Sequence, residues 1–136
     1  MSRVMAIDYG TKRVGIAVTD TLQIIASPLD TVHASEVVNF IEKYCGKEDV
    51  ATIVIGEPKK LNNESADIEQ HIKGFIRNLQ KCLPTIEIQR VDERFTSKIA
   101  FQSMIDSGLS KKKRSQKEIV DQVSATLILQ SYLEKK

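Results

Sequence analysis

Asp8, Asp92, Glu93 and Asp121 are the residues of this chain best fitted to do chemistry, each a carboxylate set in or beside an apolar element. Asp8 closes the run Val4-Met5-Ala6-Ile7 and opens the segment Asp8-Tyr9-Gly10-Thr11-Lys12-Arg13-Val14-Gly15. Asp92-Glu93 leaves the stretch Ile86-Glu87-Ile88-Gln89-Arg90-Val91, and Asp121 lies within Ile119-Val120-Asp121-Gln122-Val123-Ser124-Ala125-Thr126-Leu127-Ile128-Leu129. An ionised carboxylate taken out of water collects a cation or stays a costly defect. Three such sites together have the oxygen ligands of a Mg²⁺ or Mn²⁺ centre, whereas no Cys or His spacing points to zinc. Two such ions about 3.5–4 Å apart activate a water and stabilise the leaving oxygen in phosphodiester hydrolysis. Each carboxylate also has an ordinary reading. Asp8 near a glycine can bond the backbone of its own turn, and Asp121 can be a helix-start aspartate favoured by the dipole. The second reading is the weaker one, because Asp121 shares its helix face with Ser124, Ala125 and Ile128.

Charge supplies a second clue. The net charge is only +2, but residues 97–117 hold Lys98, Lys111, Lys112, Lys113, Arg114 and Lys117 against Asp106 alone, a local balance of +5 that leaves −3 for the remainder. Basicity so localised points to a polyanion as partner. Taken alone, the run Lys111-Lys112-Lys113-Arg114 would be a solvated loop. Beside a metal site it would hold a phosphate backbone.

These groups need elements to position them. Residues 3–9 and 13–19 read as a hairpin turned at Gly10. Val4, Ala6 and Asp8 share one face of the first strand and Met5, Ile7 and Tyr9 the other, which suits a central strand covered on both sides. Ile24 to Val32 is a third extended run, placed at a sheet edge by Pro28. Ser35 reads as the N-cap of a helix carrying Val37, Val38, Ile41 and Tyr44 and stopped at Gly46. Ala51 to Gly56 is a short buried strand, followed by a polar loop from Glu57 to Asn63. Ile68, Ile72, Phe75, Ile76 and Leu79 repeat at helical spacing up to Pro84. Ile86 to Val91 is a strand, Ile99 to Ile105 a short helix stopped by Gly108, and Leu109 to Gln116 the basic loop. A last helix, apolar almost all round, runs from about Lys117 to Glu134.

The pattern predicts one α/β domain over residues 1–136: a mixed five-stranded sheet, its first three strands an antiparallel meander, with helices on both faces. Right-handed crossovers set the later strands beside the first, which places Asp8 and the Asp92-Glu93 pair at neighbouring strand ends. Alternation sends one of Asp92 and Glu93 to each face, and the uncertain strand end leaves the choice open. At 136 residues, 41% apolar and 28% charged, the chain has the make-up of a soluble globular protein able to bury its own core. No apolar stretch spans a membrane. Met1-Ser2-Arg3 runs into a strand without a secretory core, so the expected location is the cytoplasm. Cys45 and Cys82 form no Cys-x-x-Cys pair and read as reduced structural thiols. His33 and His71 are single and ordinary.

The segments Asp8-Tyr9-Gly10-Thr11-Lys12-Arg13-Val14-Gly15, Asp92-Glu93-Arg94-Phe95-Thr96-Ser97 and Ile119 to Gln130 resemble, in order and spacing over essentially the whole chain, the YqgF (RuvX) family. That family is similar to the Holliday-junction resolvase RuvC. The resemblance implies a ribonuclease-H-like fold and a cytoplasmic nuclease that processes the 5′ end of the 16S ribosomal RNA precursor, with Holliday-junction resolution as the older reading. It implies catalytic roles for Asp8, Asp92, Glu93 and Asp121, with Asp8, Glu93 and Asp121 as ligands of Mg²⁺ or Mn²⁺. Lys12, Arg13 and Arg94 would lie close to the substrate, together with Lys111, Lys112, Lys113 and Arg114. The partner implied is pre-rRNA or structured DNA, bound by a monomer or a homodimer. The chain departs from the family pattern after the Ile53 strand. Gly56-Glu57-Pro58-Lys59-Lys60-Leu61-Asn62-Asn63 lacks the second glycine that would let backbone approach a phosphate, and Lys59 and Lys60 offer charge instead.

Two other classes share features of the sequence. Asp-x-Gly-Thr between strands also marks the phosphate loop of actin-like ATPases, but these close two such domains on the nucleotide and this chain supplies one. A non-catalytic nucleic-acid-binding module would keep the basic loop and gain nothing from carboxylates near phosphates. Metal-dependent cleavage, with ATP turnover as control, separates the three.

Overall fold

β1 (Arg3–Tyr9) is apolar on both faces, and in the computed structural model, which describes residues 2–57, 63–92 and 117–135, it is the middle strand of five. It is followed by β2 (Arg13–Thr19), β3 (Ala26–His33), α1 (Val37–Lys47), β4 (Val50–Glu57), α2 (Asn63–Cys82), β5 (Glu87–Asp92) and α3 (Lys117–Lys135). The spatial order is β3-β2-β1-β4-β5. The first three strands are antiparallel neighbours, and β1–β4 and β4–β5 are parallel. This is the expected mixed sheet with its meander. The edge position of Pro28 is also as expected, and the β2–β3 register shifts beside it, between Ile16 and Ala17.

The two faces of β1 feed two cores. Met5 and Ile7 pack with Val37 and Ile41 of α1 and with Ile72, Phe75 and Leu79 of α2. Val4 and Ala6 pack with Ala17, Val54 and Val91 and with Ala125, Ile128 and Leu129 of α3. Each fully buried aliphatic side chain contributes about 1.5–3 kcal/mol. A register slip of one residue would exchange the two sets, so burial on both sides holds β1 in place. It also assigns Asp8 to the α3 face. Tyr9 turns the other way, its ring 4.9 Å from that of Phe75.

Four details differ from the sequence reading. The third strand begins at Ala26 rather than Ile24, because the Asp20 carboxylate accepts the backbone N–H groups of Leu22, Ile24 and Ile25 and bends that segment into a turn. Gln23 at its centre has φ of 58°. The N-cap of α1 is Glu36 with no side-chain cap bond, since the Ser35 hydroxyl lies 2.9 Å from Nδ1 of His33 instead. Gly46 does not stop α1, which continues to Lys47 because the Glu48 N–H bonds Tyr44 O at 2.8 Å. A helical glycine costs only about 1 kcal/mol, which tertiary packing overrides. Lastly, β5 is not beside β1, because β4 pairs with β1 and separates them. The short helix expected over 99–105 and the basic loop lie outside the described residues.

The Asp20 turn makes a testable claim. Bonds from the N–H groups of Ile25 and Ile24 hold its carboxyl below the usual aspartate range. A depressed native pKa means that the charge stabilises the fold above the unfolded pKa of about 3.9 and is lost as pH falls through the native value. Asp20→Ala is therefore expected to melt lower than wild type at neutral pH, with the gap closing in acid. Thermal melts across a pH series check this, and a gap independent of pH would remove the ionised carboxylate from the account.

Candidate active site

The carboxylates are brought together by a glycine. Gly15 stands directly opposite Asp8 in the β1–β2 register. A Cβ built on Gly15 would collide with the backbone carbonyl of Asp121 and sit 2.9 Å from the Asp121 Cβ. Helix α3 thus crosses β2 with nothing between the two backbones, the close approach for which a glycine inside a strand is used. Ala6 and Ala17 from the sheet and Ala125 from the helix extend this small-residue seat. Cβ positions directly opposite on antiparallel strands are about 4.5–5.5 Å apart, so the Asp8 and Asp121 Cβ atoms lie within about 8 Å of each other.

Arg13 shares the face of Gly15, and its Nε donates to Oδ2 of Asp121 at 2.9 Å. The two side chains are 37% and 20% exposed. This is the partner that an ionised Asp121 requires, and it enters from the strand rather than from the helix. Asp121 is the fifth residue of α3, beyond the first turn where the helix dipole acts most strongly. The helix is also less enclosed than its composition suggests. Ala125, Ile128 and Leu129 are buried, while Val120, Val123 and Leu127 are half-buried.

Asp92 stands on the opposite face. Alternation along β5 groups it with Ile88, which packs on the α1–α2 core, and with Arg90, while Val91 joins the α3 core. Arg90 anchors that side, donating to both Glu69 carboxylate oxygens and to the carbonyls of Ile55 and Gly56 at the end of β4. Asp92 is in register with Glu57 on β4, one strand removed from β1. Carrying the β1–β4 register on by one residue sets Asp8 beside Gly56, which puts no side chain between Asp8 and the end of β5.

Lys12 is exposed in the turn, where its carbonyl accepts the Ala34 N–H. Glu93, Arg94, Lys111, Lys112, Lys113 and Arg114 lie outside the described residues, as do Lys59 and Lys60. Among the described residues no three His, Cys, Asp or Glu side chains stand close enough to hold a metal ion, so Asp8 and Asp121 alone would not make up an oxygen-donor set. Both cysteines are free. Burial raises the Cys45 thiol pKa, and a bond with Glu42 raises that of Cys82, so both favour the unreactive thiol.

The family model described as RuvX, Holliday junction resolvase, matches residues 2–135. The chain belongs to the RuvX family. A Bacteroides thetaiotaomicron relative named as a pre-16S rRNA nuclease is 53% identical over 136 residues, covering 100% of this chain and 99% of that protein. A Flavobacterium johnsoniae relative of the same name is 49% identical over the same length, with 100% and 99% covered. The fold resembles that of T. thermophilus RuvC, solved in complex with a Holliday junction substrate, at a TM-score of 0.60 and 14% identity, covering 99% of this chain and 96% of that one. The fowlpox virus resolvase, solved with Holliday junction DNA, matches at 0.53 and 12%, covering 98% and 97%. The ribonuclease-H-like architecture expected from the sequence is thus the one this RuvX chain has.

Two residues carry more in the structure than their sequence signal states. Arg13, which the resemblance places close to the substrate, also supplies the cation that a half-buried Asp121 needs. Gly15 lies inside a predicted strand, where a glycine signals close backbone approach. Gly15→Ala is expected to displace α3 and cost about 1–3 kcal/mol or more, because the collision is with backbone that has no rotamer to change. Urea unfolding measures the loss, and a variant as stable as wild type would show that α3 is not seated on Gly15.

Proposed function

We propose that this RuvX-family nuclease acts in the cytoplasm on the 16S ribosomal RNA precursor and requires a divalent cation. The observation that carries the reading is the seating of Asp121 against Gly15, directly across from Asp8, on the sheet face that also holds the α3 core. Oxygen donors in that setting suit Mg²⁺ or Mn²⁺. Asp8 and Asp121 are assigned as ligands together with Glu93. Glu93 is preferred to Asp92 because Asp92 stands on the α2 face, away from Asp8 and Asp121. Bound there, a divalent cation would supply the positive charge that activates a water and offsets charge on the phosphate.

The chain's own residues supply position. Gly15 seats the α3 backbone, so Asp121 is carried on an element held against the sheet. Lys111, Lys112, Lys113 and Arg114 precede that helix in the chain and are assigned to the phosphate backbone, as are Lys12 and Arg94. Such contacts hold the substrate without reading its sequence. The names of the relatives favour ribosomal precursor RNA. The family description and the RuvC likeness support four-way DNA junctions as the second substrate, since the fold leaves that choice to the loops.

Purified protein incubated with precursor RNA, a four-way junction and single-stranded RNA, each with and without Mg²⁺ or Mn²⁺, tests the reading directly. Metal-dependent cleavage of the precursor is expected, and absence of cleavage with every substrate would overturn it. Asp8→Asn is expected to abolish cleavage with the melting temperature unchanged or slightly raised, since it removes one of two neighbouring like charges. A large drop in melting temperature with activity retained would make Asp8 a turn residue. Replacing Lys111, Lys112, Lys113 and Arg114 by Ala is expected to weaken RNA and DNA binding alike. It should also flatten the salt dependence by up to about 0.7–0.9 log unit per lost phosphate contact. Binding curves over a salt series check this, and an unchanged slope would return the run to a solvated loop.

A further inference from the structure

We propose that Arg13 competes with the divalent cation for Asp121 and, once displaced, turns its guanidinium to the substrate phosphate. The inference rests on the metal-site reading of Asp8 and Asp121 and adds an order of events to it. Arg13 reaches Asp121 through Nε alone, at 2.9 Å to one carboxylate oxygen. A cation bound at Asp121 meets that guanidinium at close range, and the two positive charges repel. One of them must give way.

The geometry decides which side chain moves. Asp121 is carried on backbone pressed against Gly15, and its short side chain is only 20% exposed. Arg13 is longer, 37% exposed, and follows the turn that carries exposed Lys12. A guanidinium leaving Asp121 therefore passes toward Lys12 and solvent, where a phosphate offers the bidentate acceptor that it fits best. The strength of the pair is suited to exchange, because partly exposed ion pairs bias an equilibrium by only about fivefold or less. Metal binding and substrate binding are coupled through this one side chain, and by linkage each favours the other.

Calorimetric titration of Mg²⁺ into the full chain tests the competition without recourse to activity. Arg13→Gln is expected to bind Mg²⁺ about threefold to tenfold more tightly than wild type, having lost both the competing donor and its charge. An unchanged or weaker affinity in a folded variant would overturn the proposal. A second readout needs no variant at Arg13. In the wild-type protein the Arg13 Nε–H resonance is expected to shift and to exchange faster with solvent as Mg²⁺ is added, and a resonance that stays put and protected would overturn the displacement. Asp121→Asn separates the layers. If wild type binds Mg²⁺ and Asp121→Asn does not, while both Arg13 measurements are unmoved, only the role of Arg13 fails. If wild type takes up no Mg²⁺ at all, the metal-site reading fails and this inference with it.

Discussion

The contact between the α3 backbone and Gly15 of β2 is the constraint on which the candidate site depends. A helix normally stands off a sheet by the thickness of two side-chain layers, and this one does not. Ala6, Ala17 and Ala125 are small for the same reason, since any longer side chain on this seat would lift the helix. Lifting it would carry Asp121 away from Asp8 and break the contact with Arg13. The buried contacts of Ile128 and Leu129, about two turns further along, hold the helix down. Core packing at one end of α3 thereby sets the position of a carboxylate at the other.

The sheet keeps two sets of charges apart. On the α1–α2 side, Arg90 ties Glu69 of α2 to the carbonyls that end β4, a clamp with every partner supplied from within the protein. On the α3 side, Asp121 accepts from Arg13 and faces Asp8 across a glycine. The first arrangement is closed and suits a structural role. The second places two carboxylates on one sheet face beside Arg13, the arrangement on which the proposed metal site rests. Alternation along β5 places Asp92 with the first set.

The architecture is shared with RuvC at 14% identity over nearly the whole of both chains. Identity that low speaks for a shared fold alone, and likeness of fold bears on the scaffold rather than on the substrate. Relatives near 50% identity carry a ribosomal name, and the fold match carries a DNA one.

Local sequence alone determined much of this protein. The two-faced apolar pattern of Val4 to Ile7 required a central strand, Pro28 required an edge, and helical periodicity from Ile68 to Leu79 required α2, because each signal acts within a few residues. Asp8, Asp92, Glu93 and Asp121 stood out on the same ground, as carboxylates out of keeping with their surroundings. What tertiary structure alone decided were the contacts between distant segments. That β4 comes between β1 and β5, that Asp92 falls on the far face, and that Arg13 meets Asp121 across 108 residues of chain all follow from how the layers dock. Local signals also lost where the assembled fold offered a better partner, as when Asp20 drew in the N–H groups of Ile24 and Ile25 that an extended strand would have used. Periodicity reports which face a residue shows, and only packing reports what that face meets.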